Sequence, residues 1–204
     1  VAEGDTAAER VLLDVNELAK GEKFMSLGLA KASDDGRLLA YATDNTGFRQ
    51  YRLQVKDLES GRDLGLTAER VTSAVWAADQ RTVFFTVEDP VTKRSKTLFR
   101  QVLGGAAEAV FEEPDERFSV RIDRTRRGAF LVMNVASRTA SEVRVLEAAT
   151  PTGTWRLVAA RSPDHEYELD HHGDRFYLLS NRAGRNFALF TAPVGDPGPE
   201  RWTE

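Results

Sequence analysis

"SDDGRLLAYAT", Ser33–Thr43, is a polar turn running straight into an apolar segment, and the same arrangement returns three more times along the chain. The apolar segments are "LLAYAT" from Leu38, "TVFFTV" from Thr82, "AFLVMNV" from Ala129 and "RFYLLS" from Arg175, with starts 44, 47 and 46 residues apart. Each follows a turn: "SDDGR" from Ser33, "AADQR" from Ala77, "DRTRRG" from Asp123 and "DHHGD" from Asp170. A second series, "YRLQVKDL", "KTLFRQVL", "SEVRVLEA" and "FALFTAPV", keeps its register at Leu53, Leu98, Val143 and Leu189, spaced by 45, 45 and 46. Two independent series with one period define a structural repeat.

The runs are short, rich in β-branched and aromatic residues, and bounded by Gly, Asp and Ser, so they read as strands. The first series is apolar on both faces and belongs between layers. The second partly alternates, with Tyr51, Leu53 and Val55 set against Arg52, Gln54 and Lys56, as where one face is fully covered. Weaker strands flank them: "SAVWA" and "FSVRI" enter two of the units, and "AEAVF" and "WRLVAA" leave two. Units of four antiparallel strands with a repeat near 45 residues predict an all-β fold, a partial β-propeller of about four blades. Helical solenoids would need a 3.6-residue period that is missing. The expected organisation is a lead-in over 1–22, a short helix or an edge strand, followed by an incomplete propeller over 23–204. Its blades run roughly over 23–70, 71–114, 115–162 and 163–204. The one segment that reads as a helix is "VLLDVNELAKG", Val11–Gly21, and Asp14 and Asn16 weaken even that reading.

The wider composition limits the function classes. A chain of 204 residues with 41% hydrophobic and 29% charged residues has an ordinary globular make-up and enough length for a sizeable core. Lys and Arg number 28 against 32 Asp and Glu, a net charge of -4 without long runs of one sign, which argues against a nucleic-acid or membrane-surface partner. With no cysteine there is no disulfide framework, thiolate nucleophile or sulfur-ligated metal, and a reducing compartment fits. Nothing near Val1 resembles a signal peptide, and no apolar run approaches bilayer length. A start at Val1 and an ending "GPERWTE" suggest a fragment of a longer protein.

Candidate chemistry is sparse. "DHHGD" sets His171 and His172 between Asp170 and Asp174, but it fills the slot that "SDDGR" fills in the first unit, which predicts a tight turn with Gly173 as the permissive residue. Neighbouring histidines on a strand point to opposite faces, so joint chelation of one ion is awkward. Ser26 precedes Gly28 in "FMSLGLA", yet Phe24 stands where a nucleophile elbow needs its first glycine, so Ser26 reads as a strand residue. His165 has no nucleophile to activate and reads as a surface-loop histidine. The acidic run Glu112, Glu113, Asp115 and Glu116 reads as a solvated loop, with contact to a basic peptide as the lesser alternative. Leu103–Gly105 and Arg124–Gly128 are hairpin turns rather than phosphate loops, since neither has the P-loop pattern or a following helix. Trp76 and Trp155 sit at strand positions and read as packing anchors. No residue is assigned as catalytic, cofactor-binding or metal-ligating.

Several segments together resemble a known family: "VLLDVNELAKG", "SDDGRLLAY", "YRLQVKDLESG", "DERFSV", "TASEVRVL", "DHHGDRFYLLSN" and "NFALFTAPV". In this order, from about Val11 to Val194, they are similar to the propeller of the oligopeptidase B (protease II) branch of the prolyl oligopeptidase family of serine peptidases. "DERF", "TASEVR" and "DHHGDRFY" are the more specific of these; "DGRLLAY" is common to many propellers. The resemblance implies a cytoplasmic enzyme with a seven-bladed propeller seated over an α/β-hydrolase domain that carries Ser, Asp and His. It also implies cleavage after Arg or Lys in short peptides, with the propeller as gate and size filter. None of those catalytic or specificity residues maps onto this chain, which departs from the family in extent, having about four blades and no triad domain. By itself it is therefore expected to be inactive. Its partners are expected to be the hydrolase domain of the same parent chain and short basic peptides, and open blade edges suggest a homo-oligomer. The alternative reading is a stand-alone propeller module that binds a peptide or protein.

Overall fold

A computed structural model describes residues 9–204; the first eight residues of the expected lead-in lie outside the described residues. Four antiparallel sheets follow one another along the chain. The first holds β1 (Ser26–Ala32), β2 (Leu38–Asp44), β3 (Arg52–Asp57) and β4 (Asp63–Ala68). The second holds β5 (Val71–Trp76), β6 (Thr82–Glu88), β7 (Ser95–Val102) and β8 (Glu108–Glu112). The third holds β9 (Ser119–Arg124), β10 (Phe130–Ala136), β11 (Ser141–Glu147) and β12 (Arg156–Ala159), and the fourth β13 (Tyr167–His172), β14 (Arg175–Ser180) and β15 (Ala188–Pro193). Every sheet is a meander in sequence order, the all-β arrangement of a partial propeller.

The cores lie between sheets. Ala40, Ala42, Leu53 and Val55 of the first sheet face Val71, Ala74, Trp76, Val83 and Phe85 of the second. Phe84 and Leu98, on the far side of the second sheet, meet Val120, Ile122, Leu131, Met133 and Val135 of the third. Phe130, Val132, Val143 and Val145 then meet Phe176, Leu178, Phe190 and Ala192 of the fourth. Consecutive residues of β6 and β10 thus serve different cores, which is why those strands are apolar on both faces at their centres. The strand β14 departs from this pattern: Phe176, Leu178 and Ser180 are buried, but Tyr177 and Leu179 are exposed, because among the described residues no sheet packs on that face.

Two further differences lie near the two ends of the chain. The fourth sheet has three strands, followed only by a single bridge between Thr191 and Thr203. Pro199–Arg201 forms a 3-10 turn in the connection, and the Thr191–Thr203 bridge takes the place that the Val145–Arg156 pairing holds at the start of β12, one residue before the last, Glu204. The helix expected over Val11–Gly21 shrinks to α1 (Val15–Leu18), because Asp14 caps it, its carboxylate accepting from the N–H groups of Asn16 and Glu17. Leu13 and Leu18 pack beneath it on Leu39, Tyr41 and Leu58, covering the outer face of the first sheet.

Candidate functional site

Each sheet offers the free edge of its first strand to the same side of the molecule, where β1 packs against β5 and β5 against β9. Two hydrogen bonds seam these strands: Trp76 Nε1 donates to Lys31 O (2.8 Å), and Ile122 N donates to Ser73 Oγ (3.0 Å). Antiparallel alternation puts the turns that follow first strands at one end of this axial wall, and the hairpins between second and third strands at the other.

At the first end the turns are tied across sheets. Arg124 donates from Nη1 and Nη2 to the two carboxylate oxygens of Asp34 (2.9 and 2.8 Å), spanning from the third sheet to the first. Its Nε donates to Gly128 O (2.7 Å), and a Cβ on Gly128 would come within 3.0 Å of Nη2, so a glycine with φ +76° is what lets the guanidinium lie there. The Arg124 hydrogen bond holds the Asp34 carboxyl below the ordinary carboxylate range. Gln80, in the turn of the second sheet, donates to Asp34 Oδ2 (3.5 Å) and accepts from Asp35 N (3.4 Å). The fourth turn joins through Asp170, whose Oδ1 accepts from Arg126 N (2.9 Å).

"DHHGD" is therefore the last two residues' width of a hairpin: His172 pairs with Arg175 around Gly173 (φ +63°) and Asp174, a glycine-first two-residue turn. His171 lies edge-on to Phe130 (4.8 Å between ring centres) and near Phe176 (5.6 Å), whereas His172 points outward to Arg127 (3.5 Å). The two rings take opposite faces. Among the described residues no three His, Asp or Glu side chains gather as a metal cluster. Ser26 opens β1, Leu103–Gly105 and Arg124–Gly128 are hairpin turns, Trp76 is buried, and Trp155 packs edge-on against Phe84 (5.8 Å).

Two expectations need correction. His165 is not a plain surface-loop residue: it stacks on Tyr167 (5.2 Å), lies 5.8 Å from Trp202 and hydrogen-bonds Ser180 Oγ (3.0 Å). Partial burial, helped by the charge of Arg182, lowers its pKa. The acidic run is not wholly solvated either. Glu113 is 2% exposed and pairs with Arg161 (2.6 Å), which also reaches buried Glu142 (3.4 Å) and lies over the Phe118 ring (4.1 Å). Its neighbours behave as expected at a surface, Glu112 pairing with Lys96 and Asp115 with Arg117, whose hydrogen bond brings the Asp115 carboxyl down to about 2. Around Arg161 a depression of about 450 Å³ opens between Arg117, Phe118, Ala140 and Pro163. At the same end the hairpin tips expose Phe48, Val91 and Phe187.

The axial wall itself is polar. Between β9 and β13 it deepens into a groove of about 700 Å³ where Arg121, Asp123, Arg124, Arg126, Glu168 and Asp170 share the lining with Asn134 and with the apolar Tyr177, Leu179 and Leu189 of the fourth sheet. Among the described residues Arg121 pairs only with Asp123, at 3.4 Å, and Glu168 has no ion-pair partner. The Oδ1 of Asn134 is enclosed without a hydrogen-bond partner. Such a wall can hold the backbone and charged side chains of an extended peptide; it has no nucleophile with an adjacent base.

Comparison with known proteins agrees with this architecture. The family described as prolyl oligopeptidase, N-terminal β-propeller domain, matches residues 2–204. A dipeptidyl aminopeptidase BI of Pseudoxanthomonas mexicana is 40% identical over 211 residues, taking in 100% of this chain and 29% of the relative. Protease 2 of Moraxella lacunata is 30% identical over 199 residues, covering 93% of this chain and 28% of that protein. Among solved structures, oligopeptidase B from Leishmania major superposes with a TM-score of 0.88 at 26% identity, over 98% of this chain and 29% of its own. The chain thus spans less than a third of the length of these relatives.

Proposed function

Because the chain belongs to the prolyl oligopeptidase family, as its N-terminal β-propeller domain, we propose that it gates and size-filters the entry of short peptides to a serine hydrolase site in a longer parent chain. The carrying observation is the axial wall: four sheets turn free strand edges and polar side chains inward, and the Asp34–Arg124 clasp narrows one mouth. An extended peptide fits such a passage; a folded domain does not. Blades running roughly over 23–70, 71–114, 115–162 and 163–204 supply the wall. The parent cleaves after Arg or Lys by a Ser-Asp-His triad, a reading supported by likeness to Protease 2 and oligopeptidase B. A cytoplasmic setting for the parent belongs to the same reading and rests on the same likeness.

One observation favours a second reading. The relative from Pseudoxanthomonas mexicana is named as a dipeptidyl aminopeptidase, so the parent would instead remove dipeptides from free N-termini. Both readings are tested with fluorogenic arginine amides, one N-terminally blocked and one a free dipeptide, on this chain and on the longer product of its reading frame. Turnover of the blocked substrate by the long product alone, abolished by a fluorophosphonate, is the expected result. Turnover of the free dipeptide only would favour the second reading, and activity in the 204-residue chain would overturn both.

A further inference from the structure

The first strand of the fourth sheet has a free edge that is closed at both ends and open in the middle. Asn181 N donates to Glu166 O, so by the alternation of an antiparallel ladder Glu166, Glu168 and Asp170 bond towards β14. Tyr167, Leu169 and His171 turn their N–H and C=O groups the other way, towards the axis. Ser141 takes both groups of Tyr167, donating from Oγ to Tyr167 O (2.9 Å) and accepting from Tyr167 N (2.7 Å). The carboxylate of Asp170 takes His171 N (2.8 Å). This leaves the N–H and C=O of Leu169, and beside them the C=O of His171, with no partner among the described residues, and Leu169 faces the groove between β9 and β13. An unpaired strand edge is a template for another extended chain, and here the template is one residue long.

The side chains around that gap select what can use it. A residue laid beside Glu168 would project on the same face as its exposed, unpaired carboxylate, within reach of a cationic side chain. On the opposite wall Arg121 repels a second cation close by. Asn134, whose Oδ1 has no hydrogen-bond partner among the described residues, lies in the lining of the same groove. We propose that this groove is a docking subsite for an extended segment of a short basic peptide, which pairs with the backbone of Leu169 and sets its Arg or Lys side chain against Glu168. The proposal rests on the reading of the parent as a peptidase acting on basic peptides, and it gives the propeller a part in positioning the substrate as well as in filtering it.

The test uses this chain and fluorescein-labelled Ala-Ala-Arg-Ala, read by fluorescence anisotropy. Glu168→Gln, an exposed substitution whose unfolding midpoint is checked alongside, should weaken binding about fivefold, and norleucine in place of the peptide arginine should do the same without adding to it. Methylating the backbone nitrogen of the alanine before the arginine, the residue that an antiparallel peptide sets opposite Leu169, removes the donor to Leu169 O and should weaken binding to the unaltered chain, with no variant needed. Absence of saturable binding, or equal binding by the Glu168→Gln chain, overturns the proposal. Failure of the longer product to cleave any arginine amide would instead sink the functional reading, so the two failures are separable.

Discussion

Arg124 uses the whole planar fork of its guanidinium, one nitrogen on Gly128 O and two on Asp34, and its side chain is only 15% exposed. Lysine cannot reproduce that geometry, so Arg124→Lys should lower stability by about 1–2 kcal/mol in thermal or urea unfolding. Asp34 is 52% exposed, and screening by water reduces Asp34→Asn to about 0.5 kcal/mol. Its pH dependence has a definite sign. The folded pKa lies below the ordinary 3.8, so the contribution is fully present above that value and is lost as pH falls through the lower folded value. The stability difference between the wild-type and Asp34→Asn chains should close on acidification below about pH 3.8, and a difference that persisted there would refute the carboxylate's role. These contacts were not legible in the sequence. Asp34 and Arg124 are 90 residues apart, and Glu113 lies 48 from Arg161, so only the stacking of repeats brings either pair together. Glu113 reads as one more charge beside Glu112 because nothing local distinguishes the buried one.

At the scale of elements, β13 is held to the third sheet by two hydroxyls, that of Ser141 on its backbone and that of Tyr167. Tyr167 Oη accepts from Val143 N (2.9 Å) and Ala159 N (3.0 Å) and donates to Ala159 O (2.6 Å), which stitches β13 to β11 and β12. Burial pushes the Tyr167 phenol up, so it stays protonated and able to donate. Tyr167→Phe keeps the ring against Trp202 but leaves two buried N–H groups without an acceptor, and should destabilise by about 2–4 kcal/mol. Hydrogen exchange should localise the loss to Val143 and Ala159; an unchanged midpoint would mean that water replaces the hydroxyl. The strands themselves were legible, since an apolar run bounded by turns says strand whatever lies around it, and the shared period of Leu53, Leu98, Val143 and Leu189 revealed the repeat. The length of α1 was less so: Leu12 and Leu13 extend the apolar pattern, yet Asp14 starts the helix as its cap.

The molecule as a whole is asymmetric at its two end sheets. Leu13 and Leu18 cover Leu39, Tyr41 and Leu58 on the first sheet, whereas Tyr177, Leu179 and Leu189 on the fourth are 37%, 41% and 58% exposed on one face. Leu179 and Leu189 are direct cross-strand neighbours, so the exposed side chains form a contiguous surface rather than scattered points. The inner face of the same sheet is fully used by Phe176, Leu178 and Phe190, so the chain cannot bury the outer one by shifting register without exposing the inner. A sheet built to be covered on both sides and covered on one seeks another apolar surface, and in a solution of this chain alone the available partner is a second copy. Multi-angle light scattering should give a mass that rises above the monomer with concentration. Leu189→Lys should return it towards the monomer, since a charge on this face must be desolvated for the contact to form and costs nothing while the face is wet. A monomer at every concentration, with the amides of β14 and β15 slow to exchange, would mean that the face is stable in water as it stands.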